Sequence, residues 1–371
     1  MLRGISVKGY RSIRALEFEL GQLTVVIGEN GTGKSNLYRA LSLMREAATG
    51  GLANAIALEG GMRSVLWAGE TARNTSRALN LAVNLEDIRY ALKLGLPGPT
   101  DPALALDPVV KEESVSIAVN GRQPVMLQRK GPSVMIRDQD GAWQPYQNML
   151  LMAETALSML RDPRRFPELD RVQRALSAWR FHHTFRTDVQ SPIRQPQVAV
   201  CAPTLDADAQ NLAAVLATVM HLKDGPRDYA RSEIGQAIAE AFPGSVLEFD
   251  EAAGRHAVAL RTPDFQRAFS AHEMSDGTLR YLCLVGALCA YRRPPFIALN
   301  EPEASLHNEL IPPLGQMILR ASEDAQMIVV THSHQLADIL EVEGAATRIS
   351  LEKRRGETVL SSSSSGATRW V

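Results

Sequence analysis

The sequence predicts an α/β fold organised around a phosphate-binding loop. Three observations lead to it. A continuously apolar, β-branched run, LTVVIG (Leu23–Gly28), leads into GENGTGKSN (Gly28–Asn36), whose spacing is G-x-x-x-x-G-K-S. SNLYRALSLMREA follows, with Leu37, Ala40, Leu41 and Met44 recurring at helical spacing. The same texture returns near the C-terminus, as PFIALNEPE, a helix beginning near the Pro312–Pro313 pair, and QMIVVTHS.

Composition narrows the class. The 371 residues are 45% hydrophobic and 22% charged, as in an ordinary soluble globular protein. A formal net charge of -1 supplies no global basic field, so any nucleic-acid site must be a local patch. Cys201, Cys283 and Cys289 are widely spaced without a C-x-x-C pair, which argues against a disulfide framework or zinc site and favours a reducing, cytoplasmic setting. The first residues, MLRGISVKGYRS, lack the apolar core of a signal peptide. The most apolar run, Tyr281–Tyr291, is roughly half the length that spans a bilayer. No membrane association is expected.

The elements follow in order. LEFEL (Leu16–Leu20) alternates as a strand with one wet face does, and LTVVIG reads as a buried central strand. Between residues 50 and about 145, Ala78–Leu94 and VSIAVNG read as short strands, separated by a Pro-rich loop at Leu96–Pro108. From about 147 to 242 the pattern is helical: QNMLLMAETALSML, ELDRVQRALSAW, AQNLAAVLATVMHL and ARSEIGQAIAEAF. No sustained heptad appears, which excludes a long coiled coil. Strands return after Gly244 (SVLEFDE, HAVALRT), and SSSSSG (Ser361–Gly366) reads as a low-complexity tail. The expectation is a split α/β domain, residues 1–145 and 246–371, around a mainly helical insertion at 146–245.

Four motifs carry chemistry. In the phosphate loop, Gly28, Gly31 and Gly33 let backbone N–H groups face phosphate, with Asn30 and Thr32 between them. Lys34 neutralises the β/γ charge, the Ser35 hydroxyl holds Mg²⁺, and the helix N-terminus adds its dipole. Strand PFIAL ends in Asn300-Glu301, where a carboxylate is placed to activate water, and Glu301 is the candidate base. Ser275-Asp276-Gly277 precedes an apolar helix, an N-cap or an anion site. His332 directly follows a β-branched strand, where it can meet a γ-phosphate.

In this order, with Ser275 25 residues before Asn300 and His332 32 after it, the motifs resemble an ABC-type ATPase head. The chain is similar to the RecF/SMC-like branch of that family, near the stand-alone ATPases that share their head with OLD-family proteins. GYRS (Gly9–Ser12) resembles that branch's N-terminal aromatic-basic-Ser motif, and Asn36 follows GKS where transporter subunits carry Thr. The likeness covers roughly residues 1–45 and 270–335. It implies a P-loop NTPase fold with two lobes, Mg-ATP as cofactor, and nucleotide contacts from Arg11, Ser12 and Asn36. It further implies a homodimer formed on ATP, in which Ser275 and Gly277 of one subunit meet the γ-phosphate held by Lys34 of the other. DNA repair, genome maintenance and phage defence are the implied settings. DNA and a separate effector or nuclease protein are the partners this leaves open.

One position departs from the family. Asn300 stands where the magnesium-holding Asp is usual, so slow hydrolysis is expected rather than none. The rivals are a non-catalytic ATP-sensing scaffold and, less favoured because SDG replaces LSGGQ, a transporter subunit. Other features have plain readings. His182-His183 lacks spaced partners for a metal, and Cys283 and Cys289 belong to the core. Between Arg161 and Arg194, 8 Arg face 4 acids among Phe166, Trp179, Phe181 and Phe185, a solvated helical face or a nucleic-acid or partner surface.

Overall fold

The computed structural model describes residues 1–70, 77–97, 106–119, 121–138, 141–146, 150–160, 162–221 and 228–361. The chain opens with strands β1 (Leu2–Tyr10), β2 (Ile13–Glu19) and β3 (Leu23–Ile27), then helix α1 (Lys34–Thr49) and the short helices α2 (Leu52–Leu58) and α3 (Met62–Val65). Six strands follow: β4 (Ala78–Leu85), β5 (Ile88–Gly95), β6 (Val109–Ile117), β7 (Val125–Lys130), β8 (Ser133–Arg137) and β9 (Trp143–Pro145). After α4 (Ala156–Met159) and α5 (Pro167–Ser177) come β10 (Arg180–His182), β11 (Gln197–Val198), α6 (Leu212–His221) and α7 (Asp228–Ala241). The last third holds β12 (Val246–Ala252), β13 (Arg255–Arg261), β14 (Phe269–Ser270), α8 (Asp276–Leu288) and β15 (Phe296–Asn300). It ends with α9 (Ile311–Asp324), β16 (Gln326–Thr331), α10 (His334–Gly344), β17 (Thr347–Arg354) and β18 (Glu357–Leu360).

Two compact units result. Met1–Gly21, Val26–Trp179 and the chain from Thr347 onward form the first. Its sheet runs β2-β1-β4-β5-β6-β7-β8-β9, every neighbour antiparallel. Helix α1 packs against β1, β4 and α5, and β18 packs on β2. Gly33, with φ 102°, starts α1, and Gly50, at φ 89°, ends it by donating to the Glu46 carbonyl.

Within this unit the helix expected over QNMLLMAETALSML is only α4, four residues long (residues 147–149 lie outside the described ones). Polar competition explains the difference. Buried Arg129 donates to the carbonyls of Leu151 and Glu154, taking acceptors a helix would use. Thr155 then caps α4, while buried Glu113 accepts from the Ala156 and Leu157 amides at 2.6 and 3.0 Å. Burial raises the Glu113 carboxyl above its usual range, opposed by these amides and by Arg129.

Gln22–Val25 and Arg180–Ala346 form the second unit. Its centre is the strand order β10-β15-β16-β3, with β10, β15 and β16 mutually parallel. Every residue of β15 and β16 is buried, which is why both read as unbroken apolar runs. A smaller sheet, β11-β13-β12 with β14 on β13, carries α6 and α7. Helices α6 and α7 thus belong here, whereas α4 and α5 belong to the first unit. Cys283 and Cys289 are fully buried on or beside α8, as core residues, and burial pushes the Cys289 thiol up to about 12.

Candidate functional site

In the first unit the phosphate loop hangs between the end of β3 and α1. Gly31 (φ 80°) and Gly33 (φ 102°) adopt the left-handed conformation that glycine takes without steric cost. A Cβ on Gly33 would stand 2.1 Å from Thr358 Oγ1, so this position excludes any side chain. Lys34 Nζ donates to the carbonyls of Gly28 and Glu29, at 2.6 and 3.0 Å, which folds the lysine back over the loop. Thr32 Oγ1 donates to Glu29 O at 2.8 Å, closing the turn that contains exposed Asn30. Ser35 occupies the first turn of α1, where backbone amides have no helical acceptor and face an anion favourably.

Ser12 and Asn36 join this loop from behind. Asn36 Nδ2 donates to Ser12 Oγ at 2.9 Å, and Ser12 Oγ lies 2.8 Å from Thr358 Oγ1. Thr358, wholly buried, also donates to Thr32 O at 2.7 Å. Sequence reading missed Thr358, because one threonine in a C-terminal hairpin carries no pattern. Arg11 forms an ion pair. Its guanidinium pairs with Glu59 at 2.7 Å, the carboxylate that also receives the Tyr10 hydroxyl.

In the second unit β15 delivers Asn300 and Glu301. The chain breaks from the strand at Glu301, whose φ is 50° and whose amide donates to Val330 O at 2.7 Å. Asn300 is 1% exposed; its Nδ2 lies 2.7 Å from His183 Nδ1, and its Oδ1 is buried without a hydrogen-bond partner. An unsatisfied carboxamide oxygen fits a magnesium shell, where it would accept from a metal-bound water. Among the described residues no cluster of three His, Cys, Asp or Glu forms a metal cage. Magnesium commonly needs few protein groups, because phosphates and waters complete its sphere. Ser35, in the first unit, and Asn300, in the second, are the residues that the sequence nominates for it.

A second carboxylate, Glu303, organises the strand end that carries His332. Buried Glu303 accepts from Thr331 Oγ1 and from the amides of His332 and Ser333 at 3.1 and 3.2 Å, and lies 3.3 Å from His332 Nδ1. Sequence reading stopped at Glu301; the acid two residues on, in N-E-P-E, was the available signal.

The SDG segment forms the expected N-cap. Ser275 Oγ accepts from the Thr278 amide at 3.1 Å, and the Gly277 Cα leaves only 3.1 Å between a built Cβ and Ser305 O. Beneath it lies Arg194, 7% exposed, which donates to the carbonyls of Thr187, Ala271, His272 and Met274 and to Asp276 at 2.7 Å. Arg194 thus departs from the solvated face expected over Arg161–Arg194, whereas Arg164, Arg165, Arg171, Arg174 and Arg186 are exposed. Arg194 is internal, and Arg171, Arg174 and Arg186 pair with Asp87, Asp170 and Asp188, while Arg161 lies outside the described residues.

The chain aligns with the crystal structure of an SMC head bound to the C-terminal winged-helix domain of ScpA over 98% of both chains, with 15% identity and a TM-score of 0.54. The chain has the fold of an SMC/RecF-like ATPase head. A Pyrococcus furiosus Smc head with an extended coiled coil, bound to the C-terminal domain of ScpA, agrees over 98% of this chain and 96% of that one (14% identity, TM-score 0.54). A Pyrococcus yayanosii Smc head with coiled coil and joint matches over 97% and 96% (12% identity, TM-score 0.50). Residues 157–338 match the family model of an AAA domain described as a putative AbiEii toxin of a type IV TA system, and residues 1–50 match DUF2813, of unknown function. No curated protein matches. The SMC-head fold and the AAA-domain match support an ATPase of the P-loop type. No helix among the described residues is long and apolar enough to cross a membrane.

Proposed function

We propose that the protein binds Mg-ATP at the phosphate loop and hydrolyses it slowly to ADP and phosphate. The observation that carries this is the loop itself. Two left-handed glycines, a helix N-terminus and a lysine ammonium fall within one short loop, the combination that receives a polyphosphate. In the proposed reaction Glu301 takes the proton of the attacking water, and the water oxygen bonds to the γ-phosphorus as the β–γ bridging bond breaks. Lys34 offsets charge on the β and γ oxygens, and His332, anchored by Glu303, hydrogen-bonds the γ-phosphate. Magnesium, when bound, neutralises charge on the leaving diphosphate. Lys34→Ala is expected to abolish Mg-ATP binding in a calorimetric titration while the fold persists. Undiminished affinity in that variant overturns the assignment.

The regulatory half of the proposal follows the SMC likeness. ATP pairs two chains, with Ser275 and Gly277 completing the site of the partner subunit, and hydrolysis releases them. ScpA domains sit on SMC heads in two of the matched structures, which favours a separate effector protein as the load of this switch. DNA is the weaker candidate, since Arg171, Arg174 and Arg186 each sit against an acidic partner and Arg194 is internal. A non-catalytic ATP sensor is the second reading, and Asn300 is the residue that favours it.

A further inference from the structure

Asn300 and His183 meet because β10 and β15 run parallel in register. Phe181 pairs with Ala298 and His182 with Leu299, and His183, just beyond the end of β10, comes beside Asn300 at the end of β15. There His183 Nδ1 and Asn300 Nδ2 lie 2.7 Å apart, and Asn300 Oδ1, on the other arm of the same amide, is buried with no partner. A carboxylate at this position would offer an acceptor from either oxygen. A carboxamide offers one acceptor and one donor, and turned the wrong way it would present N–H groups toward a cation. An Asn in a magnesium site therefore needs a neighbour that selects its orientation. With Nδ2 donating, His183 Nδ1 is the acceptor and its ring proton resides on Nε2.

We propose that His183 is a positioning residue for Asn300. By holding the amide nitrogen it fixes Oδ1 as the acceptor for a magnesium-bound water, letting Asn stand where a symmetric carboxylate would need no guide. This rests on the assignment of Asn300 to the magnesium shell. Outer partners of this kind typically contribute about 10–100-fold to metal affinity.

The test is a double-mutant cycle on the full chain, read as Mn²⁺ affinity by electron paramagnetic resonance in the presence of a non-hydrolysable ATP analogue. His183→Ala should weaken Mn²⁺ binding by about tenfold or more in the Asn300 background. In the Asn300→Asp background the same change should have little effect, because either carboxylate oxygen serves. His183→Gln, whose side-chain oxygen also accepts, should restore part of the loss. Equal losses in both backgrounds mean a general structural effect and overturn the proposal, as does no loss in the Asn300 background. Absence of any analogue-dependent Mn²⁺ site in the parent protein removes the underlying assignment instead, and the proposal with it.

Discussion

At the scale of single residues, the phosphate loop depends on a hydroxyl 326 positions away from the carbonyl it serves. Thr358 Oγ1 satisfies Thr32 O and Ser12 Oγ together, and it fills the space where a Cβ on Gly33 would lie. Thr358→Val keeps the volume and removes the hydrogen bonds. It should cost about 1–3 kcal/mol of stability, the penalty for a buried polar group left unpaired, and lower ATP affinity along with it. Denaturant unfolding paired with calorimetric titration checks both. A variant with parent stability and affinity shows that the loop holds its shape unaided. The same logic of shared anchors applies to Glu303, which joins Thr331, His332 and Ser333 through one carboxylate oxygen.

At the scale of elements, β10 is the strand with the most consequence for its length. Its three residues carry buried His182 into the unit and lead directly to His183 beside Asn300. Burial, reinforced by Arg180 and opposed by a backbone hydrogen bond at Ala207, lowers the His182 pKa from 6.5 to about 4. Between those values the unfolded chain binds the proton and the folded chain does not. Stability is therefore full above pH 6.5 and falls as pH drops toward 4, by roughly 3 kcal/mol from this group. His182→Leu should flatten that acid limb in denaturant titrations across the range; an unchanged limb assigns the loss to other groups.

Elements with strong periodicity or unbroken apolar runs were legible in sequence: β3, α1, β15, β16 and α9 stand where their patterns put them. So was the backbone shape of the loop, because glycines at that spacing are what let Gly31 and Gly33 take left-handed φ. The rest was not. Residues 150–155 have helical composition but lose carbonyls to Arg129, a partner far away in sequence. Most of the arginine-rich stretch is surface, as its composition suggests, but composition cannot show that Arg194 is collected by four backbone carbonyls and Asp276. Thr358, Glu303 and His183 act through contacts made only after folding.

At the scale of the whole molecule, the proposed cycle couples nucleotide state to assembly. If Ser275 and Gly277 act in trans, Glu301→Gln with saturating ATP should accumulate a dimer, because the bound nucleotide joins two chains and is not consumed. Ser275→Arg should prevent this and spare ATP binding. Light scattering with and without ATP decides it, and a Glu301→Gln protein that stays monomeric at saturation defeats the trans arrangement. The central claim is that this head turns ATP over despite Asn300, and a rapid-quench single-turnover assay tests it most directly. With enzyme in excess, the parent chain should convert its bound ATP to ADP slowly and completely. Glu301→Gln should bind ATP equally well and react about 10²–10⁴-fold more slowly. Bound ATP that persists unconverted in the parent, or a Glu301→Gln rate equal to it, contradicts the account.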